Sequence, residues 1–186
     1  NLEAENAARD MALQRSRDLI RLSANAIRAA HRNEMEEAGR LLAAAQLSAA
    51  EMVGDLAKYP DLCFAGYTQD ALKEYAEASI TVALIQGLPL PEPEHLGVEH
   101  AAYLNGLGEA AMELRRYALD ALRQGDLATA ESMLSTMDDI YGTLITIDFP
   151  DMLTGGLRRT TDAVRGVLER TRGDLTVAVR QQRLEE

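Results

Sequence analysis

Tryptophan is absent from this 186-residue chain, phenylalanine occurs twice, and aromatics together make up 4% of it. A core must therefore be assembled from Ala, Leu, Ile, Val and Met, a mixture that favours helices over a β-sandwich. A single cysteine, Cys63, excludes an internal disulfide. No run of about 18 apolar residues occurs, so no membrane-spanning helix is expected. No charged-then-apolar signal segment opens the chain. Taken together, these absences point to the cytoplasm.

Positive charge is also scarce. The chain holds 19 Lys and Arg against 30 Asp and Glu, a net charge of −11. By itself this argues against nucleic-acid binding, which needs a basic surface for the phosphates. The distribution softens that conclusion. Seventeen of the 19 basic residues are Arg, seven between Arg9 and Arg40 and ten between Arg115 and Arg183. The middle third has only Lys58 and Lys73 and is strongly acidic. The plain reading of such a distribution is solvated helix faces. The other is a local basic strip, for which Arg17, Arg21, Arg28 and Arg32 on the first helix and Arg158, Arg159 and Arg165 on the last are the candidates.

Apolar residues make up 47% of the chain, which excludes disorder, and the length suits one domain, 1–186. Helical periodicity runs over 3–32, where Leu19, Leu22, Ala26, Ile27 and Ala30 recur at three- and four-residue spacing. Asn33 is read as the N-cap of a second helix reaching about residue 58, with Glu36 in capping-box position. Further helices are expected over 68–86 with Gly87 as stop, over 99–124 with Gly125 as stop, from the Asp126 N-cap to before Pro150, and over 154–183. The inner face of the last is Leu157, Thr161, Val164, Leu168, Thr171, Leu175 and Ala178. Leu88-Pro89-Leu90-Pro91-Glu92-Pro93 reads as a stiff extended loop. The expected fold is all-α, an antiparallel bundle of about six long helices with no strand and no internal repeat.

Two acidic pairs stand out: Glu74 and Glu77 at i,i+3, and Glu109 and Glu113 at i,i+4. Either spacing puts both carboxylates on one helix face. Spacing alone is weak, because a chain this acidic makes such pairs by chance, as Glu34/Glu37 and Glu51/Asp55 illustrate. Context adds weight: Glu77 precedes the uncharged run 78–85, and Glu109 and Glu113 stand among Leu107, Ala110, Ala111, Met112 and Leu114. Like charges in apolar surroundings need an intervening cation. Arg116, three residues after Glu113, is one source; a hard divalent cation, Mg²⁺ or Mn²⁺, held by oxygen ligands is the other. Glu92 and His95 have the spacing of a di-iron ligand pair, but they lie in the Pro-rich loop. His31, His100 and Cys63 form no thiol-protease or zinc pattern. Gly106-x-Gly108 falls inside a helix, where it permits close helix approach rather than dinucleotide binding.

The stretch Tyr103-Leu-Asn-Gly-Leu-Gly-Glu109-Ala-Ala-Met-Glu113-Leu-Arg-Arg116 resembles the most recognisable segment of the translin and Trax family. Ser16-Arg17-Asp18 and His31-Arg32 resemble the opening and close of that family's first helix, and Glu74-Tyr75-Ala76-Glu77-Ala78 resembles a Trax segment. Gly125-Asp126-Leu127, Tyr141-Gly142 and Leu157-Arg158-Arg159 extend the resemblance over nearly the whole chain. All four acidic positions of the catalytic, Trax-like branch are occupied, with Glu109 where Trax commonly has Asp. The resemblance implies a compact prokaryotic or archaeal form, a helical bundle closing into a hollow homo-oligomer of six to eight subunits. It further implies a Mg²⁺- or Mn²⁺-dependent endoribonuclease cutting single-stranded RNA, with Glu74, Glu77, Glu109 and Glu113 as metal ligands and catalytic residues. Arg17, Arg21, Arg28, Arg32, Arg158 and Arg159 would contact RNA, and single-stranded DNA is an additional expected partner. The alternatives are a translin-like scaffold that binds single-stranded RNA or DNA without cutting it, and an interaction bundle with no nucleic-acid role.

Overall fold

The computed structural model of the protein describes residues 2–185, with nine helices and no strand among them. Six helices are long: α1 (Leu2–His31), α2 (Met35–Asp55), α4 (Gly66–Ile85), α6 (His100–Arg123), α7 (Leu127–Leu144) and α9 (Leu157–Glu185). Three are single turns: α3 (Pro60–Cys63), α5 (Pro93–Leu96) and α8 (Asp151–Thr154). No helix is long and apolar enough to cross a membrane among the described residues. The chain falls into two compact units, Asn1–Gly106 and Leu107–Glu186, with the boundary inside the unbroken helix α6.

In the first unit α1 packs on α2 and on α4, and α2 also meets α4. The faces in contact are made of small residues. Ala26, Ala29, Ala30, Ala38, Leu41 and Val82 form one buried cluster, flanked by Leu22, Met35, Leu42 and Ile85. Alanine at these positions lets helix axes approach closely and costs little side-chain entropy. The guanidinium of Arg15 joins α1 to α2 by donating to Glu51 at 2.6 Å and pairing with Asp55 at 2.8 Å.

Asn33 does not cap α2. It lies in the left-handed region at φ 59°, where its amide donates to Ala30 O and the next amide, of Glu34, to Ala29 O. That pair of bonds is the Schellman closure of α1, a role open to Asn because its short polar side chain tolerates positive φ. Glu34 takes the N-cap position of α2 without a capping bond from its side chain. The stops at Gly87 and Gly125 close their helices in the same way. Asp126 caps α7 as expected, accepting from the Thr129 amide at 3.0 Å and its hydroxyl at 2.6 Å. Helix α2 stops at Asp55, short of the expected residue 58, and Pro60 opens α3, its fixed φ suiting a first helical position. The last long helix begins at Leu157, because Gly155 and Gly156 turn left-handed after the single-turn α8.

The second unit packs α7 against α9, with α8 on α9. Leu157, Val164, Leu168, Thr171 and Leu175 are buried, and Thr161 and Ala178 partly so, which is the inner face expected for α9. Arg172 ties α9 to α7 through Asp138 at 3.1 Å.

Two glycines in α6 serve close packing. A Cβ at Gly106 would stand 3.0 Å from both the Glu77 amide nitrogen and the Lys73 carbonyl oxygen of α4. One at Gly108 would meet the Thr160 methyl at 2.5 Å. Backbone atoms cannot retreat as a flexible side chain can. Gly106→Ala is therefore expected to destabilise the protein by about 1–3 kcal/mol through overpacking. Gly39, in the second turn of α2, has nothing within 4 Å of the same position, so Gly39→Ala should stabilise by roughly 0.5–1 kcal/mol. Denaturant unfolding of the two variants should show midpoints moving in opposite directions.

Candidate metal centre and basic face

Helix α4 is buried along 75–83 without a break. Asp70, Glu74, Glu77 and Thr81 recur at three- and four-residue spacing and share one face of it. Glu77 is 7% exposed, and Glu74 is half-buried with its Oε1 at 3.4 Å from Lys73 Nζ. A carboxylate buried to this degree needs opposite charge or hydrogen-bond donors around it, because desolvation costs several kcal/mol. Glu77 thus lies inside the buried run and not at its edge, and Lys73 is a neighbour of Glu74 that helical spacing does not signal. Thr81 on the same face, a residue without a sequence signal, is fully buried with its hydroxyl lacking a hydrogen-bond partner among the described residues.

On α6, Gly106, Glu109 and Glu113 lie three and four residues apart and so share a face. Gly106 is the point where α6 touches the Lys73 and Glu77 backbone of α4. Glu109 and Glu113 are half-buried. Arg116 is exposed and holds no ion pair among the described residues, so it does not neutralise Glu113. Its neighbour Arg115 is turned to the packing of the second unit, donating to Thr171 at 3.0 Å and pairing with Asp174 at 2.8 Å.

Other candidate chemistry falls away. Burial, and next the charge of Glu99, push the Cys63 thiol up, away from the thiolate a nucleophile or soft-metal ligand requires. Glu92, at the N-cap of the single-turn α5, and His95, within it, are exposed, without the bundle-core setting of a di-iron site.

The basic candidates divide by helix. Arg17, Arg21 and Arg28 are exposed on α1, and Arg32 is exposed in the turn that follows it. Their spacing of four, seven and four residues brings them within roughly 60° of arc and along about 22 Å of helix. Their partners differ. Arg17 forms no ion pair among the described residues. Arg21 pairs with Asp18 at 3.0 Å, and Arg28 donates to the neutral Asn25 at 2.9 Å. Arg32 grips Glu34 with two bonds, at 3.0 and 2.7 Å, and this bonding holds the Glu34 carboxyl below the usual range. On α9, Arg158 and Arg159 are exposed but, as consecutive residues, point about 100° apart. Arg158 lies 3.6 Å from Asp148, and Arg165 is exposed among Asp162 and Glu169.

No model of a known protein family matches the chain. Among solved structures, the Archaeoglobus protein AfC3PO in a duplex RNA complex is 37% identical with a TM-score of 0.90, matching 100% of this chain and 95% of its own. A crystal structure of AfC3PO gives 38% identity and a TM-score of 0.88 over 95% of this chain and 92% of the other. Apo-NeC3PO shares the fold at 24% identity, with a TM-score of 0.87 over 96% of this chain and 95% of its own. An uncharacterized protein of Methanocaldococcus jannaschii is 27% identical over 186 residues, all of this chain and 82% of that protein. With identity of this order to AfC3PO across almost the full length of both chains, the protein belongs to the translin/Trax family, in its compact archaeal C3PO form.

Proposed function

We propose that the protein handles RNA and is a metal-dependent endoribonuclease subunit that cleaves single-stranded RNA inside a closed oligomer. The observation that carries this reading is the acidic group Glu74, Glu77 and Glu109. It is the one set of three or more acidic, histidine or cysteine side chains able to hold a metal ion among the described residues. Its donors are all carboxylate oxygens, a set that suits hard Mg²⁺ or Mn²⁺ and not zinc with thiolate ligands. Glu113, one turn beyond Glu109 on the same face, is outside that group of three among the described residues and is proposed to complete the site. A divalent cation held there would reverse the local sign, stabilise charge on the phosphodiester transition state and acidify a water.

The residues of the chain do the rest. Both acidic pairs stand on long helices rather than loops, which keeps the carboxylates in fixed positions. The arginines of α1 hold the phosphate backbone through planar, two-pronged donors. Phosphates are common to single and double strands, so this strip does not by itself select between them. AfC3PO is solved with duplex RNA, which supports RNA binding here and also favours a second reading, a scaffold that binds RNA without cutting it.

The two readings part in one assay on single-stranded RNA and its duplex. Cleavage should require Mg²⁺ or Mn²⁺ and stop with a chelator. Glu77→Gln/Glu113→Gln keeps helix and volume, so the variant should fold and bind RNA while losing cleavage by at least about a hundredfold. Cleavage that persists in chelator or in this variant rules out the proposed centre, and binding without any cleavage in the unaltered protein supports the scaffold.

Assembly is read from an apolar segment. Within nine residues, Ile145, Phe149, Met152 and Leu153 are all exposed, Met152 at 95%. Such density on one segment marks a contact surface, and closed symmetry is the common outcome of self-association. Light scattering should find six to eight subunits, and Phe149→Asp should shift the species to smaller ones. A monomer at micromolar concentration would reject the enclosed site.

The partners of the α1 arginines rank their contributions to RNA affinity. Arg17 and Arg28 have no acid to leave, whereas Arg21 and Arg32 must exchange Asp18 and Glu34 for a phosphate. Arg17→Ala and Arg28→Ala should therefore weaken RNA binding more than Arg21→Ala and Arg32→Ala. Each should lower the salt slope by about one where a phosphate contact is lost. Fluorescence anisotropy over a salt series measures both, and four variants indistinguishable from the parent would remove α1 from the interface.

A further inference from the structure

Lys73 stands where the chain has almost no positive charge. Between Arg40 and Arg115 the only basic residues are Lys58 and Lys73, and Lys73 is the only one on α4. Its ammonium lies 3.4 Å from Glu74 Oε1, with side chains only 21% and 31% exposed. Consecutive residues on a helix do not face one another, and a lysine near a surface ordinarily extends its head into water. Here the ammonium instead bends to the adjacent carboxylate. The Lys73 carbonyl lies at the contact with Gly106, so the backbone carrying this side chain is held in place.

We propose that Lys73 is a tethered counter-ion of the acidic group, neutralising Glu74 in the metal-free protein and competing with a divalent cation for it. The proposal rests on the metal-centre reading above. Like carboxylates gathered on buried helix faces repel one another, and an ammonium at Glu74 relieves part of that repulsion. When a dication is bound the same ammonium becomes a like-charged neighbour, and Glu74 cannot serve both fully. A group that stabilises the metal-free state more than the metal-bound state lowers metal affinity by that difference. Lys73 thereby holds the site in a compact, charge-balanced form until the cation arrives, and raises the cation concentration needed to fill it.

The test is a Mn²⁺ titration, read by the paramagnetic signal of free Mn²⁺, with thermal unfolding run with and without the ion. Lys73→Met keeps most of the stem and removes the charge. It should lower the melting temperature of the metal-free protein, tighten Mn²⁺ binding about two- to fivefold, and enlarge the thermal gain at saturating Mn²⁺. Lys73→Arg should retain the parent values, and Lys73→Gln serves as the second neutral variant should the Met form fail to fold. A lysine with a purely structural role would lower the melting temperature at every Mn²⁺ concentration and leave the affinity unchanged; that result overturns the proposal. So does a neutral variant with parental melting temperature and affinity. Failure of the parent protein to bind Mn²⁺ would sink the metal-centre reading first, and is seen before any variant is made.

Discussion

Burial of α4 is the constraint from which much of the first unit follows. Every residue from Tyr75 to Ala83 is shielded from solvent, and most of them are apolar or small. Ala76, Ala78 and Ala83 allow neighbouring backbones to come close, and Ile80 and Val82 fill the space that remains. Ser79 satisfies its hydroxyl by donating to the Tyr75 carbonyl at 2.9 Å. Glu77 cannot use the device of Ser79, because a carboxylate has no hydrogen to donate to a backbone carbonyl. A carboxylate kept in this run costs stability unless opposite charge or donors surround it. Gly106 tightens the constraint further by bringing α6 against the Glu77 amide itself.

Most of the fold was legible because its signals are periodic. Leu19, Ala26, Ile27 and Ala30 on α1, and Leu157, Val164, Leu168 and Thr171 on α9, repeat at helical spacing and are buried. Asp126 was legible because an N-cap has a fixed offset to the amide it receives from. Asn33 was misread because one residue type serves two opposite purposes, capping the start of a helix and closing the end of another. Which one it serves depends on φ, and φ is decided by the α1–α2 turn as a whole. The single-turn helices α3, α5 and α8 are too short to carry a period, so they appeared as connectors.

The acidic residues were legible as pairs, since i,i+3 and i,i+4 spacing guarantees a shared face. Burial of Glu77 was legible from the uncharged run after it. The environment of Glu74 was not. Adjacent residues on a helix point apart, so no spacing rule anticipates an ammonium folded back onto its neighbour. The partners of the arginines were hidden for a related reason. Arg32 bonds Glu34 across the turn that Asn33 makes possible, so misreading that turn also concealed the pairing.

A net charge of −11 and a surface suited to phosphate are compatible because charge acts locally. At physiological salt the Debye length is about 8 Å, so a polyanion lying along α1 senses the residues beside it and little of the rest. The α1 strip extends about 22 Å at 1.5 Å per residue, well over two screening lengths. Between Arg17 and Arg32 the only acid of α1 is Asp18, which lies about 100° around the helix from Arg17. The remaining arginines are not all equivalent to these. Arg15, Arg115 and Arg172 each join two helices through carboxylates, and a guanidinium committed to packing is a poor donor for a ligand. The count of basic residues therefore overstates the uncommitted positive surface, while the net charge understates it. What decides is whether an exposed guanidinium already has an acid to leave, and on α1 Arg17 and Arg28 hold none among the described residues, whereas Arg21 holds Asp18.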